Sequence, residues 1–314
     1  MSFVAKTKSS AEWKLITNVV STIVEEPSFE ANAEGIQFRG MDPSHVAMID
    51  LNWPNASFEK YECDKEFKLT LRIEELSKLI KRAKQNNSIS ISAEDDEYMI
   101  VKLENGRKRE FQIRLIESSQ SPQQVPKLSL DSKIVIDKGV FEDALNDVGV
   151  VADHITIETT NDEIKFIGNG ERGKAEIILN KSDEGVHELS NPYVLICIKC
   201  ENCDLKARKL IKREDFNKEK ESVVGIMCET LKERGYKIVI AGKSSCEKSA
   251  FKITKEEWNC TYSLQYLSNI LKAIGTTTET IDVGYTYEGP FKIEFKLGEV
   301  GGNINFYLAP RIVD

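Results

Sequence analysis

The sequence predicts an α+β fold made of two similar halves, with antiparallel sheets covered on one side by helices. Three observations carry that expectation: a helix–strand pattern that recurs along the chain, strands in which apolar and polar residues alternate, and a polar, proline-containing segment midway.

The recurrence comes first, because self-similarity organises everything else. EWKLITNVVSTIVEE followed by GIQFRG reads as helix, turn, strand, and so does GVFEDALNDVG followed by EIKFIG. Trp13 matches Phe141, Ile36 matches Ile164 and Phe38 matches Phe166, all at an offset of 128. A second pair of helices, LSKLIKRA from Leu76 and LSNILKAI from Leu267, matches at an offset of 191. The offsets differ by 63, so the second half carries about 63 extra residues between its two helices. Segments such as FKLTLRI (Phe67 to Ile73) and KIVID (Lys133 to Asp137) alternate with period two, the pattern of a sheet with one buried face. ESSQSPQQVPK (Glu117 to Lys127) holds two prolines and reads as an extended interdomain linker. The expected organisation is a first domain over 1–116, a linker over 117–128, and a second domain over 129–314, interrupted at about 190–252.

Composition narrows the function classes. A chain of 314 residues suits two domains, and 40% hydrophobic with 30% charged content supports folded cores. The net charge of −8 argues against a protein that grips nucleic acid over its whole surface, though not against a local basic lining. The longest clean apolar run, Tyr193 to Ile198, is far short of the ~20 residues that span a bilayer. The N-terminus MSFVAKTKSS lacks a signal-peptide layout, so a cytoplasmic protein without membrane partners is expected. Gly168-Asn-Gly170-Glu-Arg-Gly173 fits G-x-G-x-x-G, but the strand-like KAEIIL follows it where a phosphate-binding helix is needed, so it reads as a hairpin turn. None of the three histidines, His45, His154 and His187, has neighbours that mark it as a catalytic base. No enzymatic activity is expected.

GMDPSHVAMIDL (Gly40 to Leu51), YSLQYLSNILKA (Tyr262 to Ala273) and FYLAPRIVD (Phe306 to Asp314) resemble the archaeal proliferating cell nuclear antigens, the DNA sliding clamps. The likeness covers roughly 250 residues, everything but the extra segment. It implies the DNA-clamp (processivity) fold and a ring-shaped trimer around duplex DNA, bound without sequence specificity, with sheets outside and helices lining the hole. It also implies an ATP-driven clamp loader, and tethering of DNA polymerase, flap nuclease and ligase through short peptides. The nucleoid of an archaeal cell is the implied location.

The resemblance implies three sets of residues. Partner peptides would dock at Met41, His45, Val46 and Met48, with Val125 in the linker and Pro290, Ala309, Pro310 and Ile312 completing an apolar pocket. Methionine suits a surface that accepts several sequences, because it repacks easily. Phosphates would meet Lys14, Lys78, Lys81, Arg82, Lys84 and Lys272 along the pore, with Lys78 and Arg82 sharing one face of the second helix. The third helix departs from the family, being acidic at Glu142, Asp143 and Asp147. At the subunit joint, edge strand Glu110 to Leu115, carrying Phe111 and Ile113, would pair with Lys174 to Asn180, carrying Ile177 and Ile178. Arg82, Lys84 and Arg109 would face Asp143 and Asp147 there.

The extra segment carries 14 Lys and Arg against 9 Asp and Glu, while the rest of the chain carries 29 against 42, so a basic module sits on an acidic body. Its pattern of strand (Tyr193 to Ile198), helix (about Lys218 to Arg234) and strand (Lys237 to Ala241) suggests a small parallel βαβ unit. Cys200-Glu-Asn-Cys203 has the spacing of half a zinc knuckle, with Cys197 and Cys228 as further candidate ligands. No second C-x-x-C pair follows, so ordinary thiols and no cofactor are expected, with zinc as the alternative. Two functions remain: a non-enzymatic clamp, and a clamp-derived scaffold whose extra segment adds nucleic-acid binding or metal-dependent activity.

Overall fold

The computed structural model describes residues 2–84, 87–104, 107–117, 130–200, 206–215, 251–256, 259–276, 278–298 and 300–311. The first half runs β1 (Phe3–Thr7), α1 (Ala11–Val20), β2 (Ser28–Asn32), β3 (Gly35–Met41), β4 (Ala47–Pro54), β5 (Lys60–Cys63), β6 (Phe67–Thr70), α2 (Ile73–Ile80), β7 (Ser88–Ala93), β8 (Tyr98–Glu104) and β9 (Lys108–Arg114). The second half repeats that order. It runs β10 (Ser132–Asp137), α3 (Lys138–Gly149), β11 (His154–Thr159), β12 (Glu163–Gly170), β13 (Gly173–Asn180) and β14 (Val186–Ser190). Three strands then intervene, β15 (Tyr193–Cys200), β16 (Lys206–Lys212) and β17 (Phe251–Glu256). The series resumes with β18 (Asn259–Ser263), α4 (Leu264–Ile274), β19 (Thr280–Tyr285), β20 (Phe291–Leu297) and β21 (Gly302–Leu308).

Period-two residues make the sheets. Along β7 (SISISA) Ile89, Ile91 and Ala93 are buried, and the serines between them are partly exposed. The helices bury stripes at helical spacing: Trp13, Ile16 and Val20 on α1, and Ile73, Leu76 and Ile80 on α2. The first half forms a sheet ordered β5-β1-β7-β8-β9 and contributes β4-β3-β2-β6 to a second. In the second half the same two orders recur as β14-β10-β19-β20-β21 and β13-β12-β11-β18. The halves fuse where β21 pairs antiparallel with β4, which makes one nine-stranded sheet, and α1 packs against α4 across the same joint. A single apolar core runs through both halves, with Trp13 edge-on to Trp53 in one and Phe141 edge-on to Phe166 in the other. Within each half the helices pack in pairs, α1 with α2 and α3 with α4.

Three sequence expectations need correction. The first helix stops at Val20, well short of Glu26, and a strand, β2, lies between it and GIQFRG. The second helix stops at Ile80, so Lys81 caps it and Arg82 and Lys84 follow it. The extra segment is no parallel βαβ unit where it is described. Its strand β15 pairs antiparallel with both β16 and β17 in a separate three-stranded sheet. The charge-rich KARKLIK hid β16 from period-two reading, yet its backbone groups pair with the apolar strand beside it. This sheet reaches Glu256, past the expected end at Lys252, so the extra residues span the whole connection from β14 to β18. The expected helix and strand over 218–241 lie outside the described residues, as does most of the linker.

The glycine-rich motif is the β12–β13 hairpin, with Gly170 paired to Gly173. A Cβ at Gly170 would run into the Val151 carbonyl behind it, and Gly173 adopts φ 141°, so the turn needs glycine for steric reasons.

Candidate functional site

The expected docking residues collect at one end of the nine-stranded sheet. Register places Met41 opposite Met48, Met48 opposite Tyr307, Ala47 opposite Leu308, and Leu308 opposite Phe291. Pro290 and Ala309 are the next residues beyond the last of those pairs. Met48 is buried, and Met41, Val46, Pro290, Ala309 and Pro310 are half-buried. The Ala309 N–H donates to the Val46 carbonyl at 2.8 Å, and the Arg311 N–H donates to the Thr261 carbonyl at 2.7 Å, so both halves hold the C-terminal segment. Val125 and Ile312 lie outside the described residues.

The β3–β4 loop that carries His45 is shaped by Asp42, a residue the sequence reading passed over. Its carboxylate is buried and accepts four hydrogen bonds. Oδ1 takes the N–H groups of Val46 at 2.7 Å and Ala47 at 2.6 Å. Oδ2 takes the Ser44 N–H at 3.1 Å and the Tyr266 hydroxyl, from α4 of the other half, at 2.8 Å. Burial alone would raise this carboxyl, but the four donors outweigh it and hold Asp42 below the ordinary aspartate range. The Tyr266 hydroxyl is pushed up by burial and by the carboxylate it bonds. The loop is tight enough to hold His45, which is exposed, at φ 57°, the left-handed region. A readable signal was present, since aspartate followed by Pro-Ser favours an Asx turn. Tyr307, also missed, stands directly opposite Met48; burial, with Asp50 and Glu294 adding to it, pushes its hydroxyl up to about 12.

The expected pore residues are distributed over α1, α2 and α4, which pack side by side with α3 in the order α2-α1-α4-α3. Lys78, Lys81, Arg82, Lys84 and Lys272 are exposed and Lys14 is half-buried. Lys78 is partly neutralised, since its Nζ lies 2.6 Å from the Glu74 carboxylate one turn earlier. On α3, Glu142 is paired with Lys138 at 2.6 Å, whereas Asp143 and Asp147 are exposed.

The expected joint residues lie on β9 and β13, each an edge of its sheet among the described residues. Ile113 is buried on the core face of β9, and Phe111 is half-buried. On β13, Ile177 packs against the core while Ile178, on the opposite face, stays 45% exposed. Arg109 is half-buried, and its Nε and Nη2 are enclosed with no acceptor among the described residues. Cys197 and Cys200 both lie on β15. Cys203 and Cys228 lie outside the described residues. No helix among the described residues is long and apolar enough to cross a membrane.

Comparison with known proteins agrees with this geometry. Residues 2–120 match the family "Proliferating cell nuclear antigen, N-terminal domain". A DNA polymerase sliding clamp of Nitrosopumilus maritimus is 39% identical over 312 residues, covering 99% of both chains. One from Cenarchaeum symbiosum is 36% identical over 312 residues, again covering 99% of each. The crystal structure of PCNA from Thermococcus kodakaraensis superposes with a TM-score of 0.74 over 98% of this chain and all of that one, at 20% identity, a likeness of fold. With this fold, and relatives similar over its whole length, the chain belongs to the DNA polymerase sliding clamps, the family of the proliferating cell nuclear antigen.

Proposed function

We propose that three copies of this chain close into a ring around duplex DNA, which tethers the replicative polymerase as a processivity factor and itself performs no chemistry. The observation that carries this reading is the in-chain joint. There β21, the last strand of one five-stranded array, pairs with β4, the first strand of a four-stranded one. Strand β9 is the counterpart of β21 and β13 the counterpart of β4, and both are left as open edges. An open edge invites pairing, and repeating the in-chain joint between copies satisfies both edges at once. Phe111, Ile113 and Ile177 would line the core side of that pairing, and Ile178 its outer side.

The helices support the same arrangement with different chemistry. The counterparts of Asp143 and Asp147, at the offset of 128, are Leu15 and Val19, both buried on α1, the helix that meets α4 at the in-chain joint. The subunit joint would therefore set aspartates against Arg82, Lys84 and Arg109, a charged seam where the in-chain joint is apolar. Exposed pairs contribute only ~0–1 kcal/mol each, so backbone pairing and apolar contacts dominate closure.

Lys14, Lys78, Lys81, Arg82, Lys84 and Lys272 would meet phosphates without reading bases, after a clamp loader opens the ring. The surface around Met41, His45, Val46, Met48, Val125, Pro290, Ala309, Pro310 and Ile312 would dock the peptides of polymerase, flap nuclease and ligase. No metal or other cofactor is needed for such a role, and its place is with the chromosome in the cytoplasm. Solution mass together with retention on nicked circular DNA tests the reading. A trimer that is retained on circles and lost once they are linearised is the expected result. A monomer at micromolar concentration, or equal retention on linear DNA, would overturn the ring.

A further inference from the structure

The two halves differ in how far their five-stranded arrays zip. In the first half β7 and β8 pair from Ser92–Ile100 all the way to Ser88–Glu104. In the second half their counterparts, β19 and β20, pair only from Tyr285–Phe291 to Asp282–Glu294. Continuing that register would set Ile281 against Phe295 and Thr280 against Lys296, and neither pair forms. Each strand is held by its other neighbour instead. Thr280 pairs with Asp137 of β10, the Lys138 N–H donates to the Glu279 carbonyl at 2.7 Å, and Leu297 pairs with Gly302 of β21. The sheet therefore forks.

A cavity of about 670 Å³ occupies the fork, within the ~300–1,000 Å³ range of ligand pockets. It lies at the end of β20 away from Pro290 and the docking residues. Helix α1 of the other half closes one side through Ala11, Glu12 and Leu15. Its carboxylates are Glu12, Glu279, Asp282 and Glu294, against one cation, Lys296. Glu294 already bonds Lys292 at 2.6 Å, whereas Glu279 and Asp282 are exposed and form no ion pair among the described residues. Leu15, Val135, Phe295 and Leu297 supply apolar walls.

Those features select an occupant. An antiparallel ladder alternates pairs that exchange two backbone hydrogen bonds with pairs that exchange none. Stopping two residues early therefore leaves the N–H and C=O groups of one bonding pair facing the cavity. A peptide offers both the acceptor and the donor that such groups take, whereas a polyamine offers only donors. The acids call for a cation, and the apolar walls suit a side chain that carries its charge on an aliphatic stem. Among the described residues no three carboxylate, histidine or cysteine groups come close enough together to hold a metal ion, so the acidic lining suits an extended cation.

We propose that this fork is a second docking site, which takes a short basic segment of a partner protein, with a lysine or arginine head against Glu279 and Asp282 and its stem along the apolar walls. Every wall comes from one copy of the chain, so the site does not depend on ring closure. Fluorescence anisotropy of a labelled hexapeptide of alternating leucine and arginine, titrated with the full chain, tests it. That peptide should bind, and its leucine–glutamate counterpart should not. Glu279→Gln combined with Asp282→Asn should weaken binding about tenfold, the scale of two exposed ion pairs. Lys296→Glu, which removes the one opposing cation, should tighten it severalfold. A polymerase-derived peptide seated on the docking surface should leave the affinity unchanged. Should the double variant lose its melting transition, Lys296→Glu alone decides. Equal binding of the two hexapeptides, equal affinity in wild type and the folded double variant, or competition with the polymerase peptide would overturn the proposal. So would binding of spermidine with no binding of the arginine peptide.

Discussion

Removing the Tyr266 hydroxyl takes away a side-chain bond between the halves that shapes the docking loop. Tyr266→Phe takes away the donor 2.8 Å from Asp42 and leaves three backbone donors in place. A hydrogen bond to a charged group contributes about 1.5–3 kcal/mol, and the half-exposed phenol puts this one at the lower end. A loss of about 1.5 kcal/mol lowers the melting temperature by roughly 3–6 °C for a domain of this size and shifts a loop equilibrium about tenfold. Asp42→Ala is harsher, because the N–H groups of Ser44, Val46 and Ala47 all lose their acceptor, at about 1–3 kcal/mol for each that stays buried. Titration calorimetry with a polymerase-derived peptide should show a drop of severalfold for Tyr266→Phe and of about a hundredfold for Asp42→Ala, with the trimer intact. The pH dependence has a definite sign. The folded carboxyl lies below its unfolded value near 3.9, so its contribution is present above that pH and is lost as pH falls through the folded value. Wild-type melting and peptide affinity in Asp42→Ala would refute the account of this loop.

Other outcomes follow from the same surfaces. The trimer should dissociate more readily toward 1 M salt, where the Debye length is ~3 Å, and sedimentation that finds equal stability at low and high salt would remove the charged seam from the account. Changing Lys78, Lys81 and Lys84 together to alanine should leave the melting temperature nearly unchanged while shortening retention on circular DNA and flattening its salt dependence. Since Lys78 is already paired with Glu74, most of that loss should track Lys81 and Lys84, which single variants would show. Met41→Ala combined with Ile312→Ala should weaken peptide binding about tenfold or more, and a trimeric double variant that binds as wild type would place the pocket elsewhere.

What local patterning encodes was legible before any coordinates. The offset of 128 that aligns Trp13 with Phe141 and Phe38 with Phe166 corresponds to real counterparts, α1 with α3 and β3 with β12. Apolar periodicity identified the four helices among the described residues, and Gly170 and Gly173 marked a hairpin, because these features depend on neighbours within a few residues. The limits of α1 and α2 were overextended, since charged and apolar residues continue past Val20 and Ile80 in helical rhythm while the chain turns to meet its sheets. Strand β16 was invisible for a related reason, since four of its seven residues are basic and its strand state comes from pairing with β15.

The sequence by itself determined the two-fold repeat, the acidic body with a basic graft, and the family, because residue types and spacing carry all three. Only the tertiary structure decided which strands meet. It fused the halves through β21 and β4, left β9 and β13 without a further strand among the described residues, and brought Tyr266 to Asp42 across 224 residues. Those facts depend on register between segments far apart in the chain. Register is fixed by which buried faces and backbone groups satisfy one another once the chain has collapsed, and no local window of residues contains that information.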